Sequence, residues 1–245
     1  MSRTLIIGAT SAIAEATARK LAERAGSLYL VARNGERLAA AAADLAVRGS
    51  PRLGSEVLDA NDIAAHAAML DRAERFLSGL DTVLIAYGTL SDQKACERSV
   101  ELTLRELHTN ALSVVALVTE IANRMAPRGT GTIAVISSVA GDRGRGSNYV
   151  YGSAKALLTA FLSGLRQRMR PHGVAVVTIK PGFVDTPMTA QFAKGALWAS
   201  PERVADGIVR ALARKPGTVY LPGFWQPIMF IVRAIPERVF VRLSL

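Results

Sequence analysis

The chain has 245 residues, half of them hydrophobic and a fifth charged. That balance supports a packed core and excludes general disorder. The single cysteine, Cys96, excludes an intramolecular disulfide and a cysteine-rich zinc site, and no metal is expected. The net charge is +10, and half of the excess lies in residues 210–245, where Arg210, Arg214, Lys215, Arg233, Arg238 and Arg242 face one acid, Glu237. A basic balance suits nucleic acid, anionic lipid, a phosphorylated ligand or solubility alone. No nucleic-acid motif accompanies it, so a nucleic-acid role is not expected. No apolar run approaches the ~18 residues of a membrane-spanning helix. The run in MSRTLIIG is too short for a signal peptide, and a cytoplasmic location is expected.

In chain order, the strand-like run TLIIG (4–8) precedes an Ala-rich helix to about residue 25. SLYLVA (27–32) precedes a helix through ERLAAAAADLAVR. A short strand around EVLD (56–59) is followed by a helix over 62–78, and then by the apolar run DTVLIA (81–86). A long helical pattern covers 98–126, TIAVISS (132–138) is a strand, and 149–170 is a helix. VAVVTIK (174–180) and TVYL (218–221) complete the strands. Continuous Val/Ile/Leu runs suit strands covered on both faces, and strands separated by helices imply right-handed crossovers in a parallel sheet. The pattern predicts one α/β domain over 1–245, with a doubly wound seven-stranded parallel sheet flanked by helices on both faces.

The first strand runs into GATSAIAEA, a strand, a tight turn and a helix start. A dinucleotide phosphate loop of this kind normally carries three glycines. Here only Gly8 is present, with Ala12 and Ala14 at the other two positions. Gly8 permits the sharp turn, and alanine is small enough to leave helix N–H groups available to a phosphate. Thr10 and Ser11 add hydroxyl donors. An empty strand-turn-helix is the alternative. Arg33, just beyond the second strand, stands where an acid would bind an adenosine ribose diol. Arginine there pairs with a 2′-phosphate, or is simply solvated. Arg37, one helical turn on, is placed to help it.

The most informative stretch is ISSVAGDRGRGSNYVYGSAK (136–155). Tyr151 and Lys155, four apart, share a helix face. A nearby ammonium is expected to lower the phenol's pKa from about 10 and make it a general acid–base. Ser138, at a strand end, is placed to hydrogen-bond a substrate carbonyl oxygen.

With these residues in that order, residues 4 to 221 resemble a short-chain dehydrogenase/reductase. The resemblance implies a Rossmann-type fold and reversible hydride transfer between NADP(H) and a ketone or secondary alcohol. It makes Tyr151 the acid–base, Lys155 its tuner and the holder of the nicotinamide ribose, and Ser138 the group that orients the carbonyl. Asn110 matches a helix asparagine that supports a water-linked proton relay. Asp59, followed by Ala60, matches the acid beside adenine. Gly8, Thr10, Ser11, Ala12 and Ile13 match the phosphate loop. Pro181, Gly182, Val184 and Thr186 match the loop beside the carboxamide, and Ala86 and Gly88 the segment after the fourth strand. The family's Asn-Asn-Ala-Gly is here Ile85-Ala86-Tyr87-Gly88, so Tyr87 either projects toward the cofactor or packs under a loop.

The segment 187–200 is the expected substrate lid, with Phe192, Leu197 and Trp198 lining a pocket or anchoring the lid. The tail at about 222–245 mixes aromatics with arginines and suits either a membrane interface or packing on the protein or a partner subunit. The tail, with GATSAIAEA and AGDRGR, resembles a subgroup described as decaprenylphosphoryl-ulose 2-reductases, which implies a keto-sugar or other lipid-linked carbonyl substrate. A homo-oligomer is expected. The alternative to an enzyme is an NADP(H)-binding sensor or membrane-associated scaffold.

Overall fold

A computed structural model describes residues 2–215 and 217–243. The strands are β1 (Arg3–Ile7), β2 (Ser27–Ala32), β3 (Leu53–Val57), β4 (Thr82–Ile85), β5 (Gly131–Ile136), β6 (Val174–Pro181) and β7 (Thr218–Leu221). They form one parallel sheet in the order β3-β2-β1-β4-β5-β6-β7. Chain direction across the sheet reverses between β1 and β4, and the C-terminal ends of those strands are where an open α/β sheet leaves a crevice.

Helices cover both faces because strand residues alternate between them. Leu5, Ile7, Val83, Ile85, Ile133 and Val135 are buried on one face beneath α3 (His66–Leu77), α6 (Ser113–Met125) and α7 (Tyr149–Met169). Ile6, Leu30, Leu84, Ala134 and Ile179 are buried on the other beneath α1 (Ala12–Ala22), α2 (Gly35–Val47) and α8 (Pro201–Arg214). Each fully buried Leu or Ile contributes roughly 1.5–3 kcal/mol of transfer free energy.

The strands and major helices follow the sequence pattern, with instructive differences. β3 lies at Leu53–Val57, earlier than EVLD, because pairing with β2 and not apolarity fixes this edge strand. The pattern over 98–126 is broken into α5 (Val100–Leu107), a π-turn (His108–Leu112) and α6. Apolar runs alone give no element at α4 (Gln93–Glu97), at α8, or in the tail, where α9 (Trp225–Ala234) and α10 (Glu237–Phe240) form.

The tail packs on the body through one face. Trp225 and Met229 are buried against Val139, with Phe224, Ile228 and Val232 beside them. Gly182 makes this possible: a Cβ there would lie 1.9 Å from the Trp225 ring nitrogen. Arg143 then clamps the following turns. Its guanidinium donates to the carbonyls of Arg233 (3.1 Å) and Ile235 (2.6 Å), pairs with Glu237 (2.6 Å), and lies 4.0 Å from the Phe240 ring centroid. The opposite face is left uncovered, with Phe230 75% and Ile231 64% exposed.

Candidate active site

The turn out of β1 needs Gly8. Its φ is +84°, and a Cβ would sit 2.5 Å from the Tyr87 amide nitrogen. Ser11 caps α1, its side chain accepting from Ala14 N (3.2 Å). The next amides, Ala12 and Ile13, have no acceptor among the described residues, as expected for helix N-terminal donors. The alanines at the missing glycine positions are therefore compatible with an open loop: Ala14 is fully buried against the sheet, and Ala12 simply begins the helix.

A cavity of about 1100 Å³ runs along the C-terminal ends of the strands. At one end it is lined by Arg33, Asp59 and Ala60, then by Gly8, Thr10, Ser11, Ala12 and Ile13. At the other it is lined by Ala86, Gly88, Ser138, Tyr151, Lys155, Pro181, Gly182, Val184 and Thr186. The free α1 amides and the exposed Arg33, which makes no ion pair among the described residues, are donors suited to the phosphates of a nicotinamide dinucleotide. Arg37 is not a free partner for Arg33. It donates to Thr10 O (2.7 Å) and faces Glu15 (3.7 Å), bracing the loop between β1 and α1 instead.

Three side chains converge at the far end. Ser138 follows β5 and caps a short turn, Val139–Asp142, its Oγ accepting from Ala140 N (3.1 Å). That leaves the hydroxyl hydrogen to donate, and it faces the Tyr151 phenol. The turn lies directly against α7: a Cβ on Gly141 would be 2.5 Å from the Lys155 carbonyl carbon, and one on Gly152 would be 3.0 Å from Ala140 O. Ser137 Oγ closes the joint by donating to Lys155 O (3.1 Å). Tyr151 and Lys155 share the helix face that meets this turn, with Lys155 Nζ 5.5 Å from the phenol ring centroid.

The electrostatics reverse the expectation from spacing. Burial pushes the Tyr151 phenol up to about 12, and a hydrogen bond from Ser138 opposes this only partly. Burial brings the Lys155 ammonium down to about 8. Desolvation disfavours both charged forms, and for Tyr151 it outweighs any help from the amine. Lys155 is 3% exposed and its Nζ donates to Ile136 O (3.2 Å).

Asn110 lies behind the cavity wall, in the π-turn. Its Oδ1 accepts from Thr89 N (2.9 Å), and its Nδ2 donates to Thr89 Oγ1 (2.9 Å) and Glu106 (3.3 Å). A Cβ on Gly88 would be 2.8 Å from that Oδ1 and 3.6 Å from Lys155 Nζ, so glycine keeps this wall thin. Thr89 and Glu106 carry no signal in the sequence, because the contact is made only when loop and helix meet. Tyr87 packs against the core, its hydroxyl 3.0 Å from Ser113 Oγ, and also contributes to the cavity wall. Phe192 and Trp198 line the cavity, and Leu197 does not. Trp198 also ties segment 187–200 to the body by stacking on Phe183, which meets Trp225 edge-on.

A second buried cluster braces the serine turn. Asp142 pairs with Lys180 of β6, both side chains being almost fully buried, and accepts from the Tyr220 hydroxyl of β7 (2.7 Å). Lost on either side, such a pair leaves an uncompensated buried charge, at a cost of about 3–5 kcal/mol.

The family model for short chain dehydrogenases matches residues 2–196. The chain belongs to the short-chain dehydrogenase/reductase family. It is 36% identical over 239 residues to an uncharacterized oxidoreductase of Mycobacterium tuberculosis, covering 98% of this chain and 96% of that one. It is 36% identical over 245 residues to an uncharacterized oxidoreductase of Streptomyces coelicolor, covering 98% and 94%. Among solved folds, a variant of actinorhodin polyketide ketoreductase with NADPH superposes with a TM-score of 0.80 at 20% identity, covering 89% of this chain and 95% of that one. The short-chain dehydrogenase/reductase fold thus accounts for the sheet order and the crevice.

The Lys155 shift has a measurable consequence. The unfolded chain keeps this amine protonated to about 10.5, the folded protein only to about 8. Between those values the unfolded state binds more protons, so this group makes stability rise with pH. Removing the amine in Lys155→Met therefore favours the folded state most at pH 7. Urea unfolding of the protein without cofactor is expected to show the variant's advantage shrinking by about 2 kcal/mol between pH 7 and pH 9.5. A gap that stays constant with pH refutes the burial argument.

Proposed function

We propose that the protein is an NADP(H)-dependent reductase of ketones, reversible toward secondary alcohols, with Tyr151 as the proton donor. The observation that carries this reading is the convergence of Ser138, Tyr151 and Lys155 at one end of a cavity whose other end offers free helix amides and an unpaired arginine. When bound, NADPH supplies the hydride.

The chain supplies position and a proton. The Ala12 and Ile13 amides, with Thr10 and Ser11, hold the pyrophosphate, and Arg33 pairs with the 2′-phosphate. Asp59 and Ala60 bound the adenine end. Pro181, Gly182, Val184 and Thr186 bound the nicotinamide end, and Lys155 holds the adjoining ribose. Ser138 donates to the substrate carbonyl oxygen, and Tyr151 delivers its phenolic proton to the same oxygen. A phenol held up near 12 by burial keeps its proton at neutral pH, which suits the reducing direction. Asn110 acts through its grip on Thr89, fixing the wall beside Lys155. A sensor with little turnover is the competing reading and is separated by the same assay.

Tyr151→Phe is expected to lower NADPH-dependent turnover across a ketone panel, including lipid-linked keto-sugars, by roughly 10²–10⁴-fold. NADPH affinity measured by fluorescence is expected to change little. Retained turnover removes Tyr151 from this role. Arg33→Asp is expected to weaken NADPH roughly tenfold or more relative to NADH. An equal loss for both dinucleotides contradicts the 2′-phosphate assignment.

The uncovered tail face supports a second proposal, peripheral contact with an anionic lipid surface. Phe230, Ile231, Val239 and Val241 are exposed beside the exposed Arg233, Arg238 and Arg242, an apolar surface rimmed by cations. No described helix is long and apolar enough to cross a membrane. The double substitution Phe230→Glu, Ile231→Glu leaves the buried Trp225–Met229 face intact. It is expected to abolish co-sedimentation with phosphatidylglycerol vesicles. Unchanged sedimentation, or a lower oligomeric mass by light scattering in its place, assigns that face to another partner.

A further inference from the structure

We propose that Arg145 is an anion-binding residue that determines specificity, and that the ketone reduced in this cavity carries a phosphate or carboxylate group. The inference rests on the reductase reading and supplies its substrate class.

Four basic side chains line the cavity among the described residues: Arg33, Arg37, Lys155 and Arg145. Arg33 stands at the adenine end. Arg37 is used by Thr10 O and Glu15. Lys155 belongs to the catalytic group and donates to Ile136 O. Arg145 is left over. Its backbone carbonyl accepts from Asn148 N (3.0 Å), but its guanidinium makes no hydrogen bond or ion pair among the described residues. The two acids on the cavity wall are Asp59, at the adenine end, and Asp92, which caps α4 through Ala95 N (3.0 Å); neither pairs with it.

Arg145 is also half-buried, and burial pulls its pKa down with no carboxylate to counter it. A guanidinium withdrawn from water without a counter-ion is unfavourable, and an incoming anion relieves that cost. The neighbouring Arg143 shows the contrast. Its donors are taken by the tail carbonyls and by Glu237. One loop thus carries two arginines, one committed to structure and one facing the cavity uncommitted.

Position adds the chemistry. Arg145 lies between the turn that follows Ser138 and the start of α7, which carries Tyr151. It is therefore on the catalytic end, where substrate enters, and away from Arg33. Gly144 and Gly146 flank it, and a Cβ on either would meet nothing within 4 Å, so the backbone has room to carry the guanidinium to a ligand. Its planar fork of donors matches the oxygens of a phosphate or carboxylate.

Dihydroxyacetone phosphate and dihydroxyacetone share a ketone and differ in the anion. The wild type is expected to favour the phosphate ester at least about tenfold in kcat/KM, the size of one charge-assisted pair. In Arg145→Gln that ratio is expected to fall toward one, mainly through KM, and Arg145→Lys is expected to restore part of it. Thermal midpoint and NADPH affinity verify that each variant folds. A wild-type ratio near one, or the same ratio in Arg145→Gln as in the wild type, overturns the proposal. If neither ketone nor any panel member shows Tyr151-dependent turnover, the reductase reading fails instead. Calorimetry of inorganic phosphate with the NADPH-saturated protein then decides on Arg145: weaker binding in Arg145→Gln supports the anion site, and equal binding overturns it.

Discussion

The site depends on the near contact between the turn after β5 and the backbone of α7. Two missing side chains permit it. Gly141 brings the turn to within a methyl group's reach of the Lys155 carbonyl, and Gly152 does the same from the helix toward Ala140 O. Ser137 fastens the joint by donating to Lys155 O. Ser138 rides on the turn, and Tyr151 and Lys155 ride on the helix. Their meeting is thus a consequence of backbone approach. A side chain at Gly141 would force the turn off the helix and so part the serine from the phenol, whereas one at Gly152 would meet Ala140 O at 3.0 Å, a tight contact. The Asp142–Lys180 pair and the Tyr220 hydroxyl hold the same turn from the opposite side.

That tight joint explains the electrostatics as well. The turn pressed onto the helix leaves Lys155 only 3% exposed, while the half-buried Tyr151 keeps part of its surface on the cavity. The Lys155 amine is left with one backbone carbonyl as a hydrogen-bond partner and with the rim of a phenol ring. Low polarity then favours the neutral form of both groups. The phenol keeps its proton, and the amine gives up its own more readily. The chemistry assigned to Tyr151 thus starts from a stored proton. A pre-formed phenolate, which the spacing suggests, is not what burial produces.

Much of this was legible in the amino-acid order. The apolar runs that became β1, β2, β4, β5 and β6 are buried on both faces, so their composition could hardly mean anything else. Of the residues singled out for catalysis and cofactor binding, all but Asn110 lie on the cavity wall, as do Phe192 and Trp198 but not Leu197, because short motifs keep their local geometry. What was not legible is non-local. β3 lies earlier than its apolar pattern because partners across the sheet, and not its own side chains, define an edge strand. Thr89 and Glu106 sit 21 and 4 residues from Asn110, and Arg143 reaches residues about 90 positions away. The Tyr151–Lys155 spacing shows that two groups are neighbours and says nothing of how dry their surroundings are.

The terminal helices are more than an appendage. Arg143 grips their carbonyls, while Asp142, the adjacent residue, grips the sheet beneath Ser138. Trp225 also fills the space that Gly182 leaves open in the loop after β6. A purification handle or a proteolytic nick after residue 224 therefore reaches the Ser138 turn and the Gly182 loop mechanically. The C-terminal end of this chain is the wrong one to modify.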